Sequence, residues 1–209
     1  MLISDSHLFI FVQMRKVASS SIREVLKPLA IAPPAGNLAH WWSRARLQPN
    51  YQKNVFRTHD DILSAKWRMP AEKFDCYFKF AFVRNPWERM VSEYEYILAT
   101  PKHGRHKLVA QLDSFTDFVR MQIPRRDAYQ VKMLSDKKGN LLTDFVGKLE
   151  NLDEDWRSIC SRLKITYQPL RRKNVTQHKP YQDYFDEEGC QLVAQHWHRE
   201  IEIFAYRFD

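Results

Sequence analysis

Apolar residues along this chain keep two rhythms. Three short runs, HLFIFVQM (7–14), CYFKFAFV (76–83) and LTDFVGKL (142–149), are rich in aromatic and β-branched residues and bounded by charged or turn-forming ones, which predicts strands. Between and after them the spacing is helical. Ile22, Val25 and Leu26 share one face of a first helix that ends near Pro28, and Trp87, Met90, Val91, Tyr94, Ile97 and Leu98 mark a longer one. Further helices are predicted over 153–163 and 187–204. Strands alternating with helices predict an α/β fold, a parallel sheet flanked by helices, in which ligands collect at the carboxyl ends of the strands. No repeat, low-complexity tract or Gly/Ser linker divides residues 1–209, so a single domain is expected. The segments at about 33–60 and 100–140 read as excursions from the sheet.

Composition narrows the class. A hydrophobic content of 44% with 13% aromatics excludes a disordered chain. The formal charge of +8 favours an acidic partner. Cys76, Cys160 and Cys190 are too few and too scattered for a disulfide framework or a zinc site. His196 and His198 stand two apart on a predicted helix, and His103 and His106 lie in a basic loop, so no metal set is expected. The first residues, MLISDSHLFIFVQM, lack a basic leader and a small-residue cleavage site, and no run approaches the ~18 apolar residues of a membrane span. A cytoplasmic protein without a membrane span is the expectation.

Two stretches suit anions. After the first strand, Arg15 and Lys16 lead through Val17 and Ala18 into Ser19, Ser20 and Ser21, where hydroxyls join the backbone N–H groups of an opening helix. Serines are also ordinary helix caps, but one cap does not account for three serines and a lysine. The pattern GxxxxGK[ST] is absent, so this is no Walker loop. The second stretch is FVRNPWERMVSEY (82–94): Asn85 as cap, Pro86 at the first helical position and Glu88 three after the cap make a helix start. That start leaves unexplained Arg84, at the strand end where a guanidinium takes a phosphate bidentately, and Ser92 two turns on.

Together RKVASSSI and FVRNPWERMVSEY resemble the two cofactor motifs of sulfotransferases that use 3′-phosphoadenosine 5′-phosphosulfate (PAPS). The likeness is greatest to the carbohydrate-type branch with its soluble bacterial members, and it extends through FKFAFVRNPWERMVSEYEY, GNLLTDFVGKLENLDEDW and the C-terminal tail. The resemblance implies a P-loop-like sheet and an anionic nucleotide cofactor whose product is 3′-phosphoadenosine 5′-phosphate. It also implies a hydroxylated acceptor such as a glycan, and no nucleic-acid partner. It further implies that Lys16 contacts the 5′-phosphate and the oxygen bridging phosphorus to sulfur, that Ala18, Ser19, Ser20 and Ser21 wrap that phosphate, and that Arg84 and Ser92 bind the 3′-phosphate. Arg15 stands where the family commonly has proline; the extra cation would strengthen anion binding or shift the loop. His178 and Lys179 are further candidates on the cofactor side.

Sulfuryl transfer needs in-line positioning and charge stabilisation, and a hydroxyl acceptor needs a base. His59, in VFRTHDDIL, is the expected base, with Asp60 or Asp61 orienting the ring or replacing it; the alternative is a surface histidine capping the next helix. Trp41 and Trp42 read either as packing or as a platform for a sugar ring. Two other functions fit the composition: a kinase-like nucleotide-binding transferase, and a non-catalytic basic module that binds nucleic acid.

Overall fold

The fold grows from an aromatic strand with no polar face. In a computed structural model that describes residues 1–32, 50–171 and 179–209, β2 (Phe9–Val12) is FIFV, buried at every position. Such a strand requires cover on both sides of its sheet. β3 (Phe78–Val83) lies parallel to it, pairing Phe9 with Phe78 and Val12 with Ala81, and β4 (Phe145–Lys148) extends the sheet in parallel, pairing Phe80 with Phe145 and Val83 with Lys148. Phe11 stacks on its register partner Phe80, ring centroids 5.1 Å apart.

The parallel sheet flanked by helices is as expected, with one antiparallel strand added at its edge. β1 (Leu2–Ser4) pairs antiparallel with β2, Leu2 opposite Phe11 and Ser4 opposite Phe9, and gives the order β1-β2-β3-β4. Three residues carry too little periodicity to be read, and the reversal depends on Leu8 adopting a left-handed φ of 49°.

The crossover from β2 to β3 holds α1 (Ser19–Leu26), α2 (Ile62–Arg68) and α3 (Ala71–Cys76). Between β3 and β4 come α4 (Pro86–Leu98), α5 (His106–Val109), α6 (Phe115–Gln122) and α7 (Gln130–Leu134), so the excursion over 100–140 is largely helical. After β4 follow α8 (Leu152–Leu163), α9 (Glu187–His196) and α10 (His198–Ile203). Trp41 and Trp42 in 33–49, and His178 in 172–178, lie outside the described residues.

Among the described residues two apolar clusters form the interior. One surrounds the sheet and includes Val17, Ile22, Phe82 and Trp156; the other joins Trp87 and Met90 of α4 to Phe118 of α6 and Val193 and Trp197 behind them. The run over 187–204, expected as one helix, breaks at Trp197. The buried indole there donates to the Ala128 carbonyl at 2.9 Å and stacks on Tyr129 at 5.0 Å, and holding it in the second cluster turns the chain between α9 and α10. Among the described residues no helix is long and apolar enough to cross a membrane.

Candidate functional site

Because β2 and β3 are parallel neighbours, the segments that leave them emerge side by side. The β2 segment curls tightly: Lys16 and Ala18 hold left-handed φ values of 63° and 57°, while Val17 between them is buried in the sheet cluster. Each such non-glycine conformation costs on the order of 1 kcal/mol and persists only where its surroundings impose it. Ala18 is the N-cap of α1 and offers no side-chain cap, so the first-turn amides lack the partner that a Ser or Asp would give them.

The three serines divide their work. Ser19 Oγ donates to the Met14 carbonyl at 2.7 Å and Ser21 Oγ to the Arg171 carbonyl at 2.6 Å, which pins the loop from both sides. Ser20 alone of the three is exposed.

The β3 segment starts α4 differently from the expected capping box. Asn85 Oδ1 accepts from Trp87 N at 3.0 Å as foreseen, with Pro86 first in the helix. Glu88, however, does not reach back to the cap: it pairs with Arg84 at 2.8 Å, and the Asn85 N–H donates instead to Glu150 Oε1 at 2.8 Å. Arg84 is clamped through its backbone, its N–H donating to Gln130 Oε1 and its carbonyl accepting from Gln130 Nε2, both at 2.9 Å. Gln130 is held in turn by the buried carboxylate of Glu200, whose pKa burial pushes up. Arg84 Nη1 then makes a long hydrogen bond of 3.4 Å to the Lys16 carbonyl, and Arg84 Nε is buried with no partner among the described residues. The two stretches read separately as anion sites therefore touch. Ser92 is buried two turns along α4.

Lys16 lays its ammonium over the Tyr96 ring, 4.1 Å from the centroid. Burial draws its pKa down to about 8, with Glu93 opposing the shift and Arg84 adding to it. Arg15 turns away from the loop toward carboxylates, 3.2 Å from Asp127 and 3.7 Å from Glu93.

His59 keeps an exposed face but turns Nδ1 toward the Gln13 carbonyl, 3.2 Å away at the end of β2. A carbonyl only accepts, so Nδ1 carries the proton and Nε2 holds the free lone pair. Desolvation sets its pKa below the ordinary imidazole value; the Gln13 bond opposes this, and the charges of Arg15 and Asp127 also act on the ring. The expected role of the neighbouring aspartates needs correction. Asp60 takes the Arg57 N–H at 2.9 Å and pairs with Arg68, while Asp61 caps α2 through Ser64 N at 3.0 Å and pairs with Arg126, so the ring is held by Gln13 and the helix is capped by Asp61. Lys179 is exposed, ahead of the turn Tyr181–Tyr184, which Tyr184 fastens to α4 by donating to Glu95 at 2.7 Å.

Sequence reading missed Gln130, Glu200, Glu93 and Tyr96. Each acts on a residue far away in the chain; Glu93 and Tyr96 stand within the stretch FKFAFVRNPWERMVSEYEY, but nothing local in it tells that they face Lys16. Among known proteins, an uncharacterized protein of Archaeoglobus fulgidus is 32% identical over 100 residues, which cover 47% of this chain and 77% of that protein. No solved structure matches. A family model described as the sulfotransferase family matches residues 1–207. With that match running through both stretches and the sheet that joins them, the chain belongs to the sulfotransferase family.

Proposed function

We propose that this protein transfers the sulfuryl group of PAPS to a hydroxyl of a carbohydrate or similar acceptor, with Lys16 and His59 as the reacting side chains. The observation that carries the reading is the direct contact between the two motifs, Arg84 to the Lys16 carbonyl at 3.4 Å. It gathers two cations, Lys16 and Arg84, at the ends of two parallel strands, which suits a ligand with a phosphate at each end. The residues present fit such a ligand: the first-turn amides of α1 have no side-chain cap, and Arg84 Nε is a buried donor in need of an acceptor.

In this reading the amides of 17–20, the Ser20 hydroxyl and Lys16 would hold the 5′-phosphate, and Arg84 and Ser92 the 3′-phosphate. When bound, PAPS supplies the activated sulfuryl group. Lys16 carries a full charge below its pKa of about 8 and would balance the negative charge that gathers on the departing phosphate. His59, neutral with Nε2 free, would take the acceptor hydroxyl's proton as the oxygen attacks. The strained curl at Lys16 and Ala18 fixes these donors before the ligand arrives, so little reorganisation is left for the reaction itself.

Titration calorimetry with adenosine 3′,5′-bisphosphate, ATP and a generic oligonucleotide, followed by labelled-sulfate transfer from PAPS to a panel of saccharides and phenols, tests the reading. Tight binding of the bisphosphate alone, and label on a hydroxylated acceptor, are expected. Preference for ATP or for the oligonucleotide would overturn it.

A further inference from the structure

Arg84 lies where the sheet no longer holds it. The ladder of β3 ends at Ala81 on the β2 side, opposite Val12, and at Val83 on the β4 side, opposite Lys148. Two side chains carry it further. Glu150, just past β4, takes the Asn85 N–H, and the Gln130 amide takes both backbone groups of Arg84, accepting from its N–H at Oε1 and donating from Nε2 to its carbonyl. An amide that accepts and donates in this way stands in for the peptide group of a neighbouring strand. It fixes the backbone from which the Arg84 guanidinium extends.

The amide has a fixed polarity, and Glu200 sets it. One hydrogen of Gln130 Nε2 goes to Arg84 and the other to Glu200 Oε2 at 2.9 Å, while Glu200 Oε1 accepts from the backbone N–H groups of Gln130 and Val131. A carboxylate offers acceptors at both oxygens, so the NH₂ of Gln130 turns toward it and Oε1 is left for the Arg84 N–H. Gln130 and Glu200 are 2% and 1% exposed. Arg89, also buried, supplies the countercharge from α4 and donates to the Ala128 carbonyl, which accepts from Trp197 Nε1 as well. Charges buried so deeply are a poor device for stability alone, since apolar residues of similar volume often serve as well or better. Here they form a frame that holds one amide in one orientation.

We propose that Gln130 and Glu200 are positioning residues for the nucleotide: without touching it, they set the affinity for its 3′-phosphate through the aim of Arg84. The proposal rests on the sulfuryl-transfer reading for what Arg84 binds. The donor pattern gives it a particular signature. Glu200→Gln keeps size and shape, and its oxygen still serves the two backbone N–H groups, so its NH₂ faces the NH₂ of Gln130. Turning the Gln130 amide over relieves that clash and creates another, with NH₂ against the Arg84 N–H and oxygen against the Arg84 carbonyl. Either way the loss of one buried acceptor on α10 reaches the end of β3 and unseats Arg84.

The test is calorimetry on the full chain with adenosine 3′,5′-bisphosphate and adenosine 5′-monophosphate, whose ratio of affinities reports the grip on the second phosphate. Gln130→Met and Glu200→Gln are each expected to lower that ratio about threefold to tenfold while the monophosphate binds as before. A merely structural role would lower the melting temperature and leave the ratio of the folded protein where it was. In the Arg84→Ala background, Gln130→Met is expected to change the ratio no further, because it acts through Arg84. A ratio lowered by Arg84→Ala but not by Gln130→Met, or lowered again by Gln130→Met once Arg84 is gone, would overturn the proposal. The unaltered protein labelled with ¹⁵N gives a reading that stands whether or not the variants fold. There the bisphosphate is expected to shift the Gln130 side-chain amide signals and the monophosphate to leave them in place; signals indifferent to both would overturn the proposal. A ratio near one in the unaltered protein, or one that Arg84→Ala does not lower, would instead remove the transfer reading's placement of the 3′-phosphate and the proposal with it, which separates the two failures.

Discussion

Lys16 and Arg84 are both cations at one site, yet removing them has different expected consequences. In the proposed reaction Lys16 would meet charge that appears only as the sulfur–oxygen bond breaks, so Lys16→Ala is expected to lower kcat by a hundredfold or more, on the order of 3 kcal/mol, with bisphosphate affinity changed only a few-fold. Arg84 would face a phosphate that is equally charged throughout the reaction, so Arg84→Ala is expected to weaken bisphosphate binding by about tenfold or more and to leave saturated turnover largely intact. Steady-state kinetics beside calorimetry separates the two. The pH profile follows from the same side chains. His59 sits below the ordinary imidazole value of 6.5, so the neutral base persists down to a pH lower than for an exposed histidine, and the acid limb falls there. Lys16 loses its proton as pH rises through about 8, so the alkaline limb begins there for free enzyme. A bell with its plateau between these limits is expected in kcat/KM, and Lys16→Arg, which cannot deprotonate, should remove the alkaline limb from whatever rate remains.

At the scale of elements, what could be read from sequence is what is local. The order strand, basic turn, serine-rich helix is contiguous, as are the cap Asn85 and the first helical residue Pro86 of α4, and both were legible. The partner of Glu88 was not, because a capping box and an Arg84–Glu88 pair at i, i+4 spacing are written with the same residues. The clamp on Arg84 joins Gln130 to Glu200 across 70 residues and leaves no trace in either neighbourhood. The break at Trp197 is equally non-local, since an uninterrupted helical pattern gives way to the demand of the second cluster for one indole. Gly147 shows the reverse case, a residue that looks out of place in a strand until its neighbours are known. A Cβ there would meet the buried Phe82 ring at 2.6 Å and 2.9 Å and Asp155 Cβ at 3.1 Å. Phe82 is packed on all sides and cannot swing aside. Gly147→Ala is therefore expected to cost about 1–3 kcal/mol, lowering the melting temperature by roughly 2–10 °C for a chain of this length, as scanning calorimetry would show.

For the whole molecule, the proposed nucleotide would join what the chain packs separately. The loop at 15–18 is anchored by Met14 and Val17 in the sheet cluster, whereas α4 is anchored by Trp87 and Met90 in the second. Between the two clusters at this point stand the 3.4 Å Arg84–Lys16 contact and the ion pairs of Arg15 with Glu93 and Asp127. A ligand gripping Lys16 with one phosphate and Arg84 with the other would bind only when both clusters are folded and adjacent, so its binding energy adds to the stability of the unit. At a hundred times its Kd it contributes about 2.7 kcal/mol, which for a chain of this size raises the melting temperature by roughly 5–10 °C. Adenosine 5′-monophosphate at the same concentration engages the loop alone and is expected to give much less. Arg84→Ala should bring the bisphosphate down to the level of the monophosphate, while Lys16→Ala should keep most of the difference between them. Equal shifts for the two nucleotides in the unaltered protein would mean that α4 takes no part in binding, and the two-ended grip would have to be abandoned.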